Sequence, residues 1–155
     1  MTQAHFVIPG DLTLPTGGYG YDRQVLAHAA AAGLKLTHLP IPGGYPRPDA
    51  AVLTETERRI AATPRDTVLL IDGLAYGAMP VETIRRFERR IVELCHHPLA
   101  LEPGIPQADE AWFRTCEREA MALAAHVIVT GAQTAGIVAR DFAVAPERIS
   151  VALPG

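Results

Sequence analysis

The run Thr67-Val68-Leu69-Leu70-Ile71-Asp72 restricts the possible folds more than any other stretch of this chain. Its interior is continuously apolar, with no polar alternation, as in a strand covered on both faces within a parallel sheet. Five further strand patterns lie at residues 4–8, 35–39, 91–95, 126–130 and 149–153. Helical spacing fills the gaps. The first helix is expected over residues 21–32, with Tyr21, Val25, Leu26 and Ala29 on one side and Gly33 as its stop. Asp49 caps a second, which turns Val52, Leu53, Thr56 and Ile60 inward. Pro80 fits the first turn of a third, with Val81, Ile84 and Phe87 inside. A long helix from Asp109 carries Trp112, Phe113, Cys116, Ala120, Leu123 and Ala124 on one stripe, with Glu110, Arg114, Glu117 and Arg118 opposite. Residues 133–142 form the last. Strands alternating with helices give right-handed crossovers and an open parallel sheet of about six strands, with helices on both faces.

The chain has 155 residues, 48% of them hydrophobic, enough for one compact α/β domain. A net charge of −3 gives no basic footprint, so no nucleic-acid partner is expected. Cys95 and Cys116 form no C-x-x-C pair and read as buried, reduced thiols. The start, Met1-Thr2-Gln3-Ala4-His5, lacks a basic region, and no apolar run reaches the roughly 18 residues of a membrane span. A cytoplasmic protein is expected; peripheral membrane contact stays open, with nothing in the sequence that favours it. The stretch from Pro40 to Pro48 reads as a structured surface loop. Arg85, Arg86, Arg89 and Arg90 read as a solvated face.

The segment Pro9-Gly10-Asp11-Leu12-Thr13-Leu14-Pro15-Thr16-Gly17-Gly18-Tyr19-Gly20-Tyr21-Asp22-Arg23 joins the first strand to the first helix. A glycine-rich turn before a helix makes an anion site, because the backbone can approach a ligand and the helix offers unpaired N–H groups. An ordinary turn that uses glycine for its geometry is the alternative. The dinucleotide fingerprint is missing, and no lysine follows the glycines, so NAD and P-loop ATP chemistry are disfavoured. This turn, Asp72-Gly73, His96-His97 and Thr130 each follow a strand, which places all four at one edge of the sheet.

The groups best suited to moving protons there lie in His96-His97-Pro98-Leu99-Ala100-Leu101-Glu102. Adjacent histidines on an extended chain point to opposite sides, so one of them faces the cleft. A zinc site from His96, His97, Glu102 and Asp72 matches none of the usual ligand spacings. Histidines bonded to nearby backbone are a further reading. Asp72 either holds a ligand hydroxyl or caps the turn after it. Asp22 is best placed for a local ion pair with Arg23, and Tyr19 and Tyr21 either stack on a sugar or simply pack. No serine elbow or based cysteine supports covalent hydrolysis.

Four segments taken together carry a family likeness. They are Thr16-Gly17-Gly18-Tyr19-Gly20-Tyr21-Asp22-Arg23, Leu39-Pro40-Ile41-Pro42-Gly43-Gly44-Tyr45-Pro46, His96-His97-Pro98-Leu99-Ala100-Leu101-Glu102, and a tail. The tail reads Val127-Ile128-Val129-Thr130, then Thr134-Ala135, then Arg148-Ile149-Ser150-Val151-Ala152-Leu153-Pro154-Gly155. In order and spacing this set resembles the amino-terminal half of retaining glycosyltransferases of GT-B architecture, of the family-4 type, over nearly the whole chain. Such enzymes join two Rossmann-like domains across a cleft. The first faces the acceptor, and the second grips the nucleotide sugar and carries an E-x7-E motif. The resemblance implies that Gly17 and Gly18 touch the donor's phosphates and that His96, or else His97, lies beside the reacting sugar. Tyr19, Asp22, Asp72 and Glu102 become candidate acceptor contacts. No metal is implied. The donor domain is expected to be missing from these 155 residues, which alone should lack turnover. A stand-alone α/β module binding a phosphorylated ligand, and a metal hydrolase centred on His96 and His97, are the competing expectations.

Overall fold

The computed structural model describes residues 2–155; Met1, the first residue of the expected non-basic start, lies outside them. Six strands form one all-parallel sheet: β1 (Thr2–Pro9), β2 (Leu34–Ile41), β3 (Val68–Asp72), β4 (Ile91–Cys95), β5 (His126–Val129) and β6 (Ile149–Val151), in the order β2-β1-β3-β4-β5-β6. The helices are α1 (Gly17–His28), α2 (Ala50–Ala61), α3 (Gly73–Tyr76), α4 (Val81–Phe87), α5 (Gln107–Leu123) and α6 (Ala132–Asp141). This is the expected open α/β sheet, Rossmann-like, with helices on both faces. No helix is long and apolar enough to cross a membrane.

The faces are covered unequally. The step from β1 to β2 runs one way along the sheet, and every later step runs the other. Right-handed crossovers therefore put α1 on one face and α2, α4, α5 and α6 on the other. Two cores follow. Phe6, Ile8, Tyr19 and Leu94 pack with Val25 and Leu26 beneath α1. The larger core gathers Ile60, Ile71, Met79, Phe113, Met121 and Phe142 on the far side.

Expectations for two helices are corrected. Helix α1 begins at Gly17 rather than Tyr21, because the Thr16 hydroxyl accepts from Tyr19 N at 3.1 Å and fixes the start. The glycines thus form its first turn: Gly20 N donates back to Thr16 O, and Gly17 and Gly18 sit where N–H groups have no intrahelical partner anyway. It also stops at His28, and a 3-10 turn, Ala30–Ala32, carries the chain to Gly33 at φ +78°. Helix α5 begins two residues before Asp109, after Pro106, and its buried stripe is rotated from the one expected. Phe113, Cys116 and Ala120 are inside, whereas Trp112 is 49% exposed. Glu117, expected outside, is 1% exposed. Its carboxylate is held there by the N–H groups of Leu99 (2.6 Å) and Ala100 (3.0 Å) in the 3-10 turn after β4.

Other expectations hold. Asp49 Oδ1 accepts from Val52 N at 2.9 Å and starts α2. The Pro40–Pro48 loop is structured: Gly10 N donates to Ile41 O, and the Tyr45 hydroxyl meets Thr56 Oγ1 at 2.9 Å. Arg85, Arg86 and Arg90 are exposed, with Arg86 paired to Glu57, but Arg89 departs from the expected solvated face: it is half-buried and donates to the carbonyls of Phe87 and Thr63. Both cysteines are buried and free.

Candidate functional site

The carboxyl ends of β1, β4 and β5 open onto a cavity of about 640 Å³ lined by Gly17, Gly18, Tyr21, His96, Thr130 and the Leu153–Gly155 tail. The glycine turn and the imidazole do share a rim. A Cβ placed on Gly18 would lie 3.5 Å from His96 Cδ2, so the first turn of α1 rests directly on the ring. The N–H groups of Gly17 and Gly18 have no acceptor among the described residues. They are the free donors at the positive end of a twelve-residue helix whose first residues line the cavity.

Strand alternation decides between the two histidines. Leu94 and His96 face α1, and His97 turns away, exposed, with Nε2 3.3 Å from Leu101 O. His96 Nε2 lies 2.9 Å from Asp22 Oδ1 and 3.7 Å from Asp72 Oδ2. Tyr21 meets the same ring edge-on, with centroids 5.2 Å apart, and its hydroxyl donates to Ala152 O at 2.8 Å. Nε2 is committed to the carboxylates, so Nδ1 is the ring nitrogen without a partner among the described residues.

Asp22 is therefore not a surface residue paired with Arg23. It is 0% exposed, and Arg23 donates instead to the carbonyls of Leu12 and Leu14. With the helix started at Thr16, positions 18, 22, 25 and 29 form one stripe, which puts Asp22 under the sheet edge. Asp72 does two things at once: Oδ1 accepts from Leu74 N at 2.8 Å and caps α3, while Oδ2 faces His96.

Burial works against a charged His96, but hydrogen bonds and charge from Asp22 and Asp72 overcome it and hold the ring's pKa up to about 9. Burial, with Asp72 beside it, pushes Asp22 up to about 7 even though His96 pulls the other way. Burial also opposes charge on Asp72, yet His96, Asp22 and the Leu74 N–H together keep it below the usual carboxylate value. The ring is an imidazolium at neutral pH. Asp22 is the acid that gains a proton as pH falls through about 7, which takes the cluster from one net negative charge to none.

Asp22, Asp72 and His96 offer ligand atoms within 4.8 Å of one another and could hold a metal ion. In the arrangement observed, a ring N–H fills the space between the carboxylates. The zinc set of His96, His97, Glu102 and Asp72 is not assembled, because His97 and Glu102 are exposed outside the cavity. Tyr19 is also absent from the lining. It is buried under α1, and its hydroxyl donates to Pro9 O. Sequence reasoning missed the weight of Tyr21 and Asp22, and the Thr16 cap was the available signal for both.

What these groups can do is bind an anion through two amides and an imidazolium, and present a protonated Nδ1 to a substrate oxygen. No protein-family model matches the chain, and no curated protein matches it.

Proposed function

We propose that this domain is the acceptor-side half of a retaining glycosyltransferase, moving a sugar from a nucleotide-sugar donor to an acceptor hydroxyl. One observation carries the reading: two unpaired amides of a helix N-terminus and an imidazolium, fixed by two buried carboxylates, converge on one cavity. Breaking a glycosidic bond to a diphosphate creates negative charge on the leaving oxygens. Preorganised donors stabilise such charge best where water is excluded. In this reading the Gly17 and Gly18 amides take phosphate oxygens, as helix N-termini do. His96 donates through Nδ1 to an oxygen of the transferred sugar or the diphosphate. Asp22 keeps that ring charged and oriented, and Asp72 shares the task. The donor's base and the acidic donor-side motif belong to a second domain in this reading, so these residues alone bind weakly and turn nothing over.

The test is an amide NMR titration with UDP-glucose, GDP-mannose and inorganic pyrophosphate. The Gly17 and Gly18 amides should shift with the nucleotide sugars, and the response should vanish in His96→Ala. Amides that stay put with every nucleotide sugar would end the proposal. A second reading is a module for a phosphorylated ligand, favoured by the unpaired Gly17 and Gly18 amides beside His96 in one cavity. A simple sugar phosphate that binds far more tightly than any nucleotide sugar would select it.

A further inference from the structure

Trp112 breaks the pattern of its helix. It is half exposed, the only aromatic among the exposed large hydrophobic residues of the described chain. It stands between two hollows. One, of about 300 Å³, is walled by Pro48, Leu53, Pro80, Arg47 and Asp109. The other, of about 240 Å³, shares Pro80 and Trp112 and runs along α5 to Glu119. The indole is braced from behind by Phe113, edge-on at 5.0 Å. Arg47 lies 5.5 Å over the same Phe113 ring and pairs with Asp109 at 2.6 Å. Asp109 is one turn before Trp112, so carboxylate and indole project from one face of α5. Arg47 follows β2, Pro80 follows β3 and α3, and α5 follows β4, so the hollow opens on the same sheet edge as the His96 cavity.

We propose that the Trp112 hollow is a carbohydrate subsite, in which one neutral sugar ring stacks on the indole and its hydroxyls bond the Arg47–Asp109 pair. The aromatic face carries partial negative charge and attracts the C–H face of a sugar ring. An ion pair beside it supplies donors and acceptors together while its charges offset each other, which suits a neutral polyol. A volume near 300 Å³ lies at the lower end of small-molecule sites and fits one ring rather than an extended ligand. A proline-rich peptide needs a groove lined by several aromatic rings. Here the neighbouring walls are prolines and aliphatics, and a lone indole rises between them. The subsite does not depend on the transferase reading, although an extended glycan acceptor would give the two a common purpose.

Trp112 is the chain's only tryptophan, so intrinsic fluorescence reports on this one place. Titration of the whole chain with maltotriose, cellotriose and mannotriose should give a saturable blue shift with at least one of them. Removing a hydrogen bond to a charged group weakens binding about tenfold, so Asp109→Asn and Arg47→Ala should each raise the midpoint by that factor. Far-UV circular dichroism confirms that both variants fold. Three results would overturn the proposal: no shift with any trisaccharide, a shift with a polyproline peptide and none with sugar, or a sugar response unchanged in both variants. The Gly17 and Gly18 amides are read separately, so a silent indole beside responding amides rejects this subsite and leaves the transferase reading intact.

Discussion

Strand β4 carries acid chemistry on both of its faces, and the two sides have opposite characters. On the α1 side, Asp22 and Asp72 surround His96 at a cavity. On the α5 side, Glu93 and Glu117 are each 1% exposed, and among the described residues neither forms an ion pair. Both Glu93 oxygens lack a partner among the described residues, and Glu117 is satisfied by backbone amides. Burial, then Glu117 and Asp72, raise Glu93 well above the carboxylate range. Burial lifts Glu117 to about 7 against the pull of the Ala100 and Leu99 amides. The clearest contrast is between Asp72, held low by the ring beside it, and Glu93, pushed well up with only acids around it. The short helix α3 is fitted to the second side. A Cβ on Gly73 would come within 3.0 Å of Leu94 O, and one on Gly77 within 2.9 Å of Glu117 Cγ.

Removing the cation should break the first centre hardest. His96→Ala leaves Asp22 and Asp72 facing each other in the interior, and an uncompensated buried charge costs about 3–5 kcal/mol. Urea unfolding at pH 8 should show a loss of about that size. A loss below about 1 kcal/mol would mean that the carboxylates do not depend on the ring. Next comes the clamp. Glu117→Ala strands the Leu99 and Ala100 amides and opens a gap, with an expected cost of about 2–4 kcal/mol. Because that turn directly follows His96-His97-Pro98, the His96 ring resonances should move as well. Glu117→Gln keeps one acceptor and should recover part of both effects.

A pH profile should show the two centres acting in the same direction. His96 is raised from 6.5 to about 9, so its contribution is complete below 6.5 and is lost as pH climbs through 9. Asp22 and Glu117 are raised from 3.8 and 4.5 to about 7, so folding loses ground as each ionises on the way up through 7. Asp72 is held low and has finished titrating below that window. Melting temperature should therefore fall steadily between pH 5.5 and 9 by calorimetry at fixed salt, and Glu117→Gln should flatten the part near 7. A curve that rises across this range would contradict the assignments of charge.

The framework of both centres was readable from residue types, because it depends on neighbours in the chain. Val68-Leu69-Leu70-Ile71 announced a doubly covered strand, Asp49 announced a helix start, and strand alternation forced His96 and His97 apart. What the sequence concealed depends on contacts across the fold. Glu117 looked solvent-facing because its partners are two amides in a turn 17 and 18 residues earlier. Trp112 looked buried because aromatic periodicity does not reveal which edge of a stripe a neighbouring loop leaves open. Asp22 lay between: it follows from Thr16 as cap, yet three glycines after that cap argue against a helix on propensity alone. The cap and the packing on His96 outweighed that cost.

The smallest expected effect is the sharpest test of the contrast. Glu93 is neutral at pH 7 if burial beside Glu117 and Asp72 sets its state, and glutamine is a neutral group of almost the same shape. Glu93→Gln should then change stability by less than about 1 kcal/mol in urea unfolding. It should leave the Gly17 and Gly18 response to nucleotide sugars unaltered. Asp72→Asn, on the other face, removes charge from beside His96 and should lower the ring's pKa in a histidine NMR titration, which Glu93→Gln should barely shift. If Glu93→Gln instead destabilised the chain by about 3 kcal/mol, Glu93 would have to be ionised and held by a partner in the interior. The two faces of β4 would then be one electrostatic unit, with the imidazolium of His96 serving both.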